Sequence, residues 1–334
     1  MNWERRNKIT EKDRHMNYIV FDLEWNQSPG GKKYSNSRLP FEIIEIGAVK
    51  LNEQRQKTDV FQRLVKPQVY NWIHDSIHEV IHVDYKDLEE GDPFPQVARE
   101  FLEWCGEDFA FFTWGNQDVM ELQRNMKYYG MLSMLPGPVM YYDVQKLFGF
   151  QNGEVPQRRS LEYATDVLGI KKEDDFHRAL ADAVYTARVL EYLDMSVVRD
   201  YPSVDVYQNP QKKKEEIFLS YPDHDEYVSR EFPNKEKIMR DREITSTKCP
   251  HCHLPAKRKL RWFQNNSRVY ESLSFCQKHG WVKGKIRIRH TDEDGYYAVK
   301  TLKNIDEIKA EEIRQKRESL RQKRQIKRQS EKHI

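Results

Sequence analysis

Between residues 17 and 200 the chain alternates short apolar runs with stretches of helical periodicity. Tyr18-Ile19-Val20-Phe21 and Ile43-Ile44-Glu45-Ile46-Gly47-Ala48-Val49 have the length and apolar content of buried strands. Phe61 to Val65 predicts a third strand, closed by Pro67. Apolar positions Val97, Ala98, Phe101, Leu102 and Trp104 predict a helix from Pro95 to Trp104. Phe109 to Trp114 predicts another strand, followed by a helix through Met120, Leu122 and Met126. Tyr141 to Val144 predicts a short strand, and Leu161 to Leu168 and Leu180 to Leu193 predict two helices. Strands first, then helices and strands in alternation, predict an α/β sheet with helices packed on it.

Past residue 200 the pattern breaks. Prolines 202, 210, 222 and 233 and the run Lys212-Lys213-Lys214-Glu215-Glu216 predict a connector with short elements. Two β-like runs follow, Arg268 to Phe275 and Trp281 to Arg289. From about Leu302 onward Glu, Lys, Arg and Gln dominate, which predicts an exposed charged helix or a disordered segment. The expected organisation is a polar tail (1–16), an α/β domain (17–200), a linker with short elements (201–247), a small β module (248–292) and a charged tail (293–334).

Composition sharpens this division. With 38% hydrophobic and 33% charged residues, the whole chain is not expected to form one globule. The net charge of +3 hides two opposed parts. Residues 17 to 200 carry 20 Lys/Arg against 30 Asp/Glu; residues 248 to 290 carry 11 Lys/Arg and only Glu271. The basic segment points to a polyanion, most plausibly nucleic acid. No apolar run reaches the ~18 residues of a membrane span. The first sixteen residues lack the apolar centre of a secretory signal. A cytoplasmic location with no membrane contact is expected.

The candidate chemistry sits in three short blocks: Phe21-Asp22-Leu23-Glu24-Trp25, Gly115-Asn116-Gln117-Asp118 and His177-Arg178-Ala179-Leu180-Ala181-Asp182. Asp22 and Glu24 are two apart at the end of a strand and therefore share a face. Asp118 falls at the start of a helix that follows a strand. His177 and Asp182 are five apart, about 140° around a continuous helix. They can converge only if His177 lies in the loop before the helix and Asp182 within it. Four carboxylates suit two hard cations, Mg²⁺ or Mn²⁺, and an imidazole with a pKa near ~6.5 suits a general base.

On these residues the chain resembles DEDDh-type 3′→5′ exonucleases of the DnaQ-like group, in the ribonuclease H-like superfamily. The resemblance covers about residues 17 to 200. It rests on Asp22 and Glu24, on Asp118 behind Trp114-Gly115, and on His177-x-Ala179-x-x-Asp182. Phe41 to Val49 resembles the family's second strand, and Ser160-Leu161-Glu162 through Leu168-Gly169 the helix before the third motif. The nearest branch holds KapD-type proteins and the histone-mRNA and small-RNA 3′ exonucleases. The resemblance implies a ribonuclease H-like mixed sheet flanked by helices. It also implies that Asp22 bridges two metal ions, with Glu24 and Asp182 completing one shell and Asp118 acting through water. His177 would deprotonate the attacking water, and a nucleoside 5′-monophosphate would leave from the 3′ end. The expected substrate is single-stranded or 3′-overhang nucleic acid, RNA favoured over DNA. Trp25, beside Glu24, is a candidate to stack on the terminal base. The alternative is a catalytically weak nucleic-acid-binding or regulatory protein on the same fold.

Three of the four cysteines lie in the basic region. Cys249-Pro250-His251-Cys252 and Cys276-Gln277-Lys278-His279 are separated by 23 residues, a spacing that fits a zinc ribbon. One structural Zn²⁺ on Cys249, Cys252, Cys276 and His279 is expected, with His251, His253 and His290 as other possible fourth ligands. Cys105 is expected to be buried. Lys257-Arg258-Lys259-Leu260-Arg261-Trp262-Phe263 and Lys283-Gly284-Lys285-Ile286-Arg287-Ile288-Arg289 interleave basic and apolar residues, as a phosphate-binding and stacking surface would.

Overall fold

Strand β1 (Asn17–Gln27) sends alternate side chains into two separate cores. Ile19, Phe21 and Leu23 enter one, and Tyr18 and Val20 enter the other. The computed structural model describes residues 16–72, 85–154, 157–173, 176–291 and 294–330. The expected N-terminal tail lies, except for Met16, outside them.

β1 pairs antiparallel with β2 (Phe41–Leu51), which pairs antiparallel with β3 (Lys57–Lys66). After α1 (Tyr85–Glu89), β4 (Asp92–Pro93) closes this edge. Helix α2 (Phe94–Cys105) leads to β5 (Phe109–Thr113), which lies parallel to β1 on its other side. Helix α3 (Gln117–Tyr128) leads to β6 (Val139–Asp143), parallel to β5. Then come α4 (Val144–Gln151), α5 (Leu161–Val167), α6 (Ala179–Tyr192), α7 (Met195–Asp200) and β7 (Ser203–Asp205), antiparallel to β6. The sheet order is β4-β3-β2-β1-β5-β6-β7.

Helices α2 and α3 cover one face through Phe101, Val97, Leu122 and Met126. Helices α4 to α6 cover the other through Leu147, Phe148, Leu161 and Tyr185. Each fully buried side chain such as Phe101 contributes roughly 1.5–3 kcal/mol through lost apolar hydration. By the alternation of β1, Asp22 and Glu24 fall on the α4–α6 face, in line with Tyr18 and Val20. The expected mixed sheet flanked by helices is present. Cys105 is fully buried, and burial pushes its thiol up to about 12.

Residues 209–334 form a second compact unit. Its strands are β8 (Ile217–Ser220), β9 (His224–Val228), β10 (Lys257–Asn266), β11 (Val269–Cys276), β12 (Gly280–His290) and β13 (Tyr296–Ile305). They form one antiparallel sheet in the order β10-β11-β12-β13-β9-β8. Short helices α8 (Lys235–Arg240) and α9 (Arg242–Thr245) pack Ile238 and Ile244 against Ile286, Ile288 and Ala298.

This differs from the expected linker, module and tail. The segment 201–247 is not a connector: β7 completes the first sheet, and β8 and β9 extend the second. Its prolines mark turns between strands of three to five residues, too short to show a period. β13 lies wholly within the expected charged tail, and Lys300 interrupts its apolar face. That lysine is buried, and its ammonium donates to the carbonyls of Glu243 (2.6 Å) and Ser246 (3.4 Å). The expected charged helix forms as α10 (Glu307–Ser330), anchored by Ala310 and Ile313 on Leu273. The guanidinium of Arg314 lies 4.5 Å from the Trp281 ring centroid.

The aromatics of β10 are half-buried. Trp262 donates its indole N–H to the Thr245 carbonyl at 2.8 Å, and Phe263 packs on the Leu273–Ala310–Ile313 cluster. The basic residues that precede them, Lys257, Arg258, Lys259 and Arg261, are exposed.

Candidate active site

Asp22 and Glu24 lie not at the end of β1 but in its middle, where the strand continues past its last pairing with β5 at Val20, and the cleft opens there. Its volume is about 470 Å³, and Asp22, Glu24, Trp25, Asp118, His177 and Asp182 all line it. One carboxylate oxygen from each of Asp22, Glu24 and Asp182 lies within 4.8 Å of the others. Asp118 lines the same cleft from the first turn of α3 but falls outside that set. Its carboxylate accepts the backbone N–H of Leu23, which ties α3 to β1 between the first two acids.

Asp182 reaches the cluster because α6 starts against the sheet at a glycine. Gly47 of β2 is directly opposite Asp22 in the register. A Cβ at Gly47 would lie 2.1 Å from the Leu180 nitrogen and 2.2 Å from the Ala179 carbonyl carbon. No other residue type permits that approach of helix backbone to strand. Gly47 carries a signal in the sequence, a glycine inside an apolar strand, but its partner becomes visible only in three dimensions.

His177 lies before α6 and Asp182 within it, the arrangement their spacing requires. The His177 backbone is left-handed, with φ of 67°, and its N–H donates to Asp182 Oδ2 at 3.3 Å. The next residue locks the turn. Arg178 Nε and Nη2 each lie 3.1 Å from a different Glu45 oxygen, and Gln62 donates to Glu45 Oε1 at 2.8 Å. Glu45 is buried opposite Glu24 on β2. This bidentate pair holds the imidazole side of the cleft, and neither partner is marked by the motif spacing.

The electrostatics are those of crowded acids. Burial, then Asp118, Glu24 and Asp182, raise Asp22 well above the ordinary carboxylate range. Burial and then Asp182 and Glu45 push Glu24 up to about 8. Burial pushes Asp118 up to about 7 and Asp182 up to about 6. Asp182 Oδ1 is buried without a hydrogen-bond partner. Clustered oxygens, excess negative charge and an orphaned buried acceptor together fit a hard divalent cation.

Trp25 lines the cleft, but its ring also packs 5.9 Å, centroid to centroid, from Phe41. A further stretch of the cleft wall is built from Gly115 (φ 107°), Gln145 and Arg158, which lie side by side. Neither Gln145 nor Arg158 was distinguishable in the sequence from a surface polar residue.

In the second unit one ligand atom each from Cys249, Cys252, Cys276 and His279 lies within 4.8 Å of the others. Cys249 Sγ to His279 Nδ1 is 3.4 Å, Cys252 Sγ to Cys276 Sγ 3.7 Å and Cys276 Sγ to His279 Nδ1 3.8 Å. A tetrahedral zinc with Zn–S of about 2.3 Å has sulfur–sulfur edges of about 3.8 Å. Burial raises the Cys276 thiol, but the backbone N–H groups of Lys278 and His279 and the neighbouring thiols outweigh it, leaving it lowered to about 6. The cluster could hold a metal ion. Of the other candidate ligands, His253 Nδ1 lies 3.6 Å from Asp225 and His290 packs on Tyr296, while the His251 ring lies beside the cluster, 5.2 Å from that of His279.

Fold and cleft define the class: an α/β domain whose acidic side chains gather along the central strand of a mixed sheet flanked by helices. A family profile described as Exonuclease, the RNase T type, matches residues 19–190, and the chain belongs to that family. It is an exonuclease. Among solved structures it is similar to the nuclease domain of 3′hExo, a DEDDh family member, bound to rAMP. That match has 19% identity and a TM-score of 0.48, covering 57% of this chain and 96% of that one. Cell-death related nuclease 4 (CRN-4) shares 18% identity at a TM-score of 0.45, over 59% of this chain and 72% of its own. S. pombe Pop2p in its Mg²⁺ and Mn²⁺ bound form shares 20% identity at a TM-score of 0.40, over 52% and 81%. No curated protein sequence matches.

Proposed function

We propose that the protein removes nucleotides from the 3′ end of nucleic acid and releases nucleoside 5′-monophosphates. The observation that carries this reading is the convergence of Asp22, Glu24 and Asp182 within 4.8 Å, beside an orphaned Asp182 oxygen. Asp22, Glu24, Asp118 and Asp182 would hold two Mg²⁺ or Mn²⁺ ions. Bound there, such ions acidify water and neutralise charge building on the scissile phosphate.

His177 takes the proton of the attacking water as general base. Its exposed ring at the cleft rim is supplied by the left-handed turn and the Arg178–Glu45 pair, which fix the backbone on either side. The water oxygen bonds to phosphorus and the P–O3′ bond breaks. The shortened strand keeps a 3′-hydroxyl, and the phosphate leaves on the 5′ oxygen of the released nucleotide. Trp25 offers the part of its ring not covered by Phe41 to the terminal base. RNA is favoured over DNA on the chain's resemblance to the branch that holds the histone-mRNA and small-RNA 3′ exonucleases. The Cys249, Cys252, Cys276 and His279 cluster holds a structural zinc, and the exposed cations of β10 and β12 contact phosphates of longer strands.

The test is a matched pair of RNA and DNA oligonucleotides, labelled at either end, with Mg²⁺, with Mn²⁺ and with EDTA. Stepwise shortening from the 3′ end, 5′-monophosphate as product and arrest by EDTA are expected. Binding without release in both metals would sink this reading in favour of a nucleic-acid-binding protein on the same fold.

A further inference from the structure

Four acidic side chains line the cleft, yet a nucleic-acid strand brings a negative charge at every linkage. Arg158 is the one arginine or lysine among the lining residues. It is held rather than loose. Nη1 donates to Gln145 Oε1 at 2.9 Å, and Nη2 lies 3.3 Å from Asp143 Oδ2. Gln145 is itself fixed, donating from Nε2 to the Arg159 carbonyl at 2.7 Å. Asp143 is buried and caps α4 by accepting the Lys146 N–H at 2.9 Å. The left-handed backbone at Gly115 leaves no side chain over this wall, where a Cβ would already lie 3.7 Å from Nη1.

The Arg158 side chain is nonetheless 56% exposed. A guanidinium has five N–H donors, so two anchoring contacts leave others free to meet an oxyanion. Among the described ion pairs Arg158 joins Asp143, and none joins it to Asp22, Glu24, Asp118 or Asp182. It therefore stands apart from the carboxylate cluster, where the scissile phosphate belongs, but on the same cleft. Removal of a 3′-terminal nucleotide requires the next linkage of the strand to lie beside that cluster.

We propose that Arg158 binds the phosphate of the penultimate linkage, one linkage upstream of the bond that is cut, and that Gln145 is its positioning residue. This rests on the 3′→5′ reading above. Held by a pre-aimed guanidinium, the strand presents its last linkage to the carboxylates in one register. A charged hydrogen bond of this kind changes kcat/KM on the order of tenfold to a hundredfold.

The experiment is a cycle of two proteins and two substrates. Wild type and Arg158→Ala are compared on an oligonucleotide with a native penultimate phosphate and on one with a neutral methylphosphonate there. The expected result is a tenfold or greater loss for Arg158→Ala on the native strand and a loss several times smaller on the methylphosphonate strand. Gln145→Ala should show the same substrate-dependent loss in weaker form, and Arg158→Lys an intermediate one, because lysine keeps the charge without the planar fork. An equal loss on both substrates, or none on the native one, overturns the assignment. Failure of the exonuclease reading itself is separate: wild type would then release no 5′-monophosphate from the native strand. Arg158 is exposed, and a melting temperature close to wild type checks that the variant is folded.

Discussion

Each acid of the cleft is costly to ionise where it stands. Glu24 is raised to about 8, Asp118 to about 7 and Asp182 to about 6, with burial the first cause in each case. Their folded values lie above the unfolded ones, so between about pH 4 and pH 8 the folded state binds more protons than the unfolded. The stability they contribute is present below that window and is lost as pH rises through it. In EDTA the melting temperature should therefore be lower at pH 8 than at pH 5, by roughly 3 °C or more. Asp118→Asn should shrink that difference while removing nearly all turnover, since it deletes a charge the metal needs and its neighbours repel. Mg²⁺ should raise the melting temperature more at pH 8 than at pH 5. A melting temperature in EDTA that rises from pH 5 to pH 8 would contradict this account. At this scale much was legible beforehand. The parity of Asp22 and Glu24 follows from strand geometry, and the five-residue gap from His177 to Asp182 already demanded a loop before the helix. Glu45 and Arg158 were not legible, because what distinguishes them is a partner distant in sequence.

At the scale of elements, the site depends on how closely α6 approaches β2. The strand β2 was evident from its apolar run, and α6 from its period. Their meeting was not, since it is made by backbone at Gly47. Substituting alanine there places a methyl group 2.1 Å from the Leu180 nitrogen, and backbone cannot swing aside as a side chain can. The start of α6 must move, carrying Asp182 with it. Gly47→Ala is expected to destabilise the first unit by roughly 1–3 kcal/mol, as overpacking does. Misplacing a reacting group by about 1 Å can cost ~10²-fold, so turnover should fall by more than the folded fraction explains. Melting and single-turnover rates on the same preparation separate the two effects. A variant with wild-type turnover would show that α6 does not set the position of Asp182. The second sheet illustrates a different limit. β8 and β9 are too short to show a period, and β13 hides its buried face behind Lys300, whose charge is answered by carbonyls of α9 and the turn after it. Sequence pattern reports burial, and here burial included a lysine.

The whole molecule divides after Gln208, not near residue 200. The difference matters for any attempt to isolate the nuclease. β7 pairs with β6, and Asp205 Oδ1 accepts the Gln123 side-chain amide at 2.7 Å and the Tyr207 N–H at 2.9 Å. A chain ending at Asp200 lacks these hydrogen bonds; one ending at Gln208 keeps them. The shorter protein 1–208 should cleave short oligonucleotides at the full-length rate. Exposed Lys257, Arg258, Arg287 and Arg289 go with the second unit, so binding of longer strands should weaken, with a salt slope shallower by about 0.7 for each phosphate no longer neutralised. The second unit has small apolar clusters, and its Cys249–Cys276 region packs little besides Val282 and Leu302. A metal joining the turn at Cys249 to the β11–β12 hairpin would add folding energy to this small core. Full-length protein should accordingly carry one tightly held zinc that survives dialysis against Mg²⁺. Cys276→Ser should lose that zinc, weaken binding of long strands to the level of 1–208, and still shorten small oligonucleotides. Protein free of zinc by elemental analysis, or a Cys276→Ser variant that binds long strands as wild type does, would show that the basic strands hold their fold without a metal at this cluster.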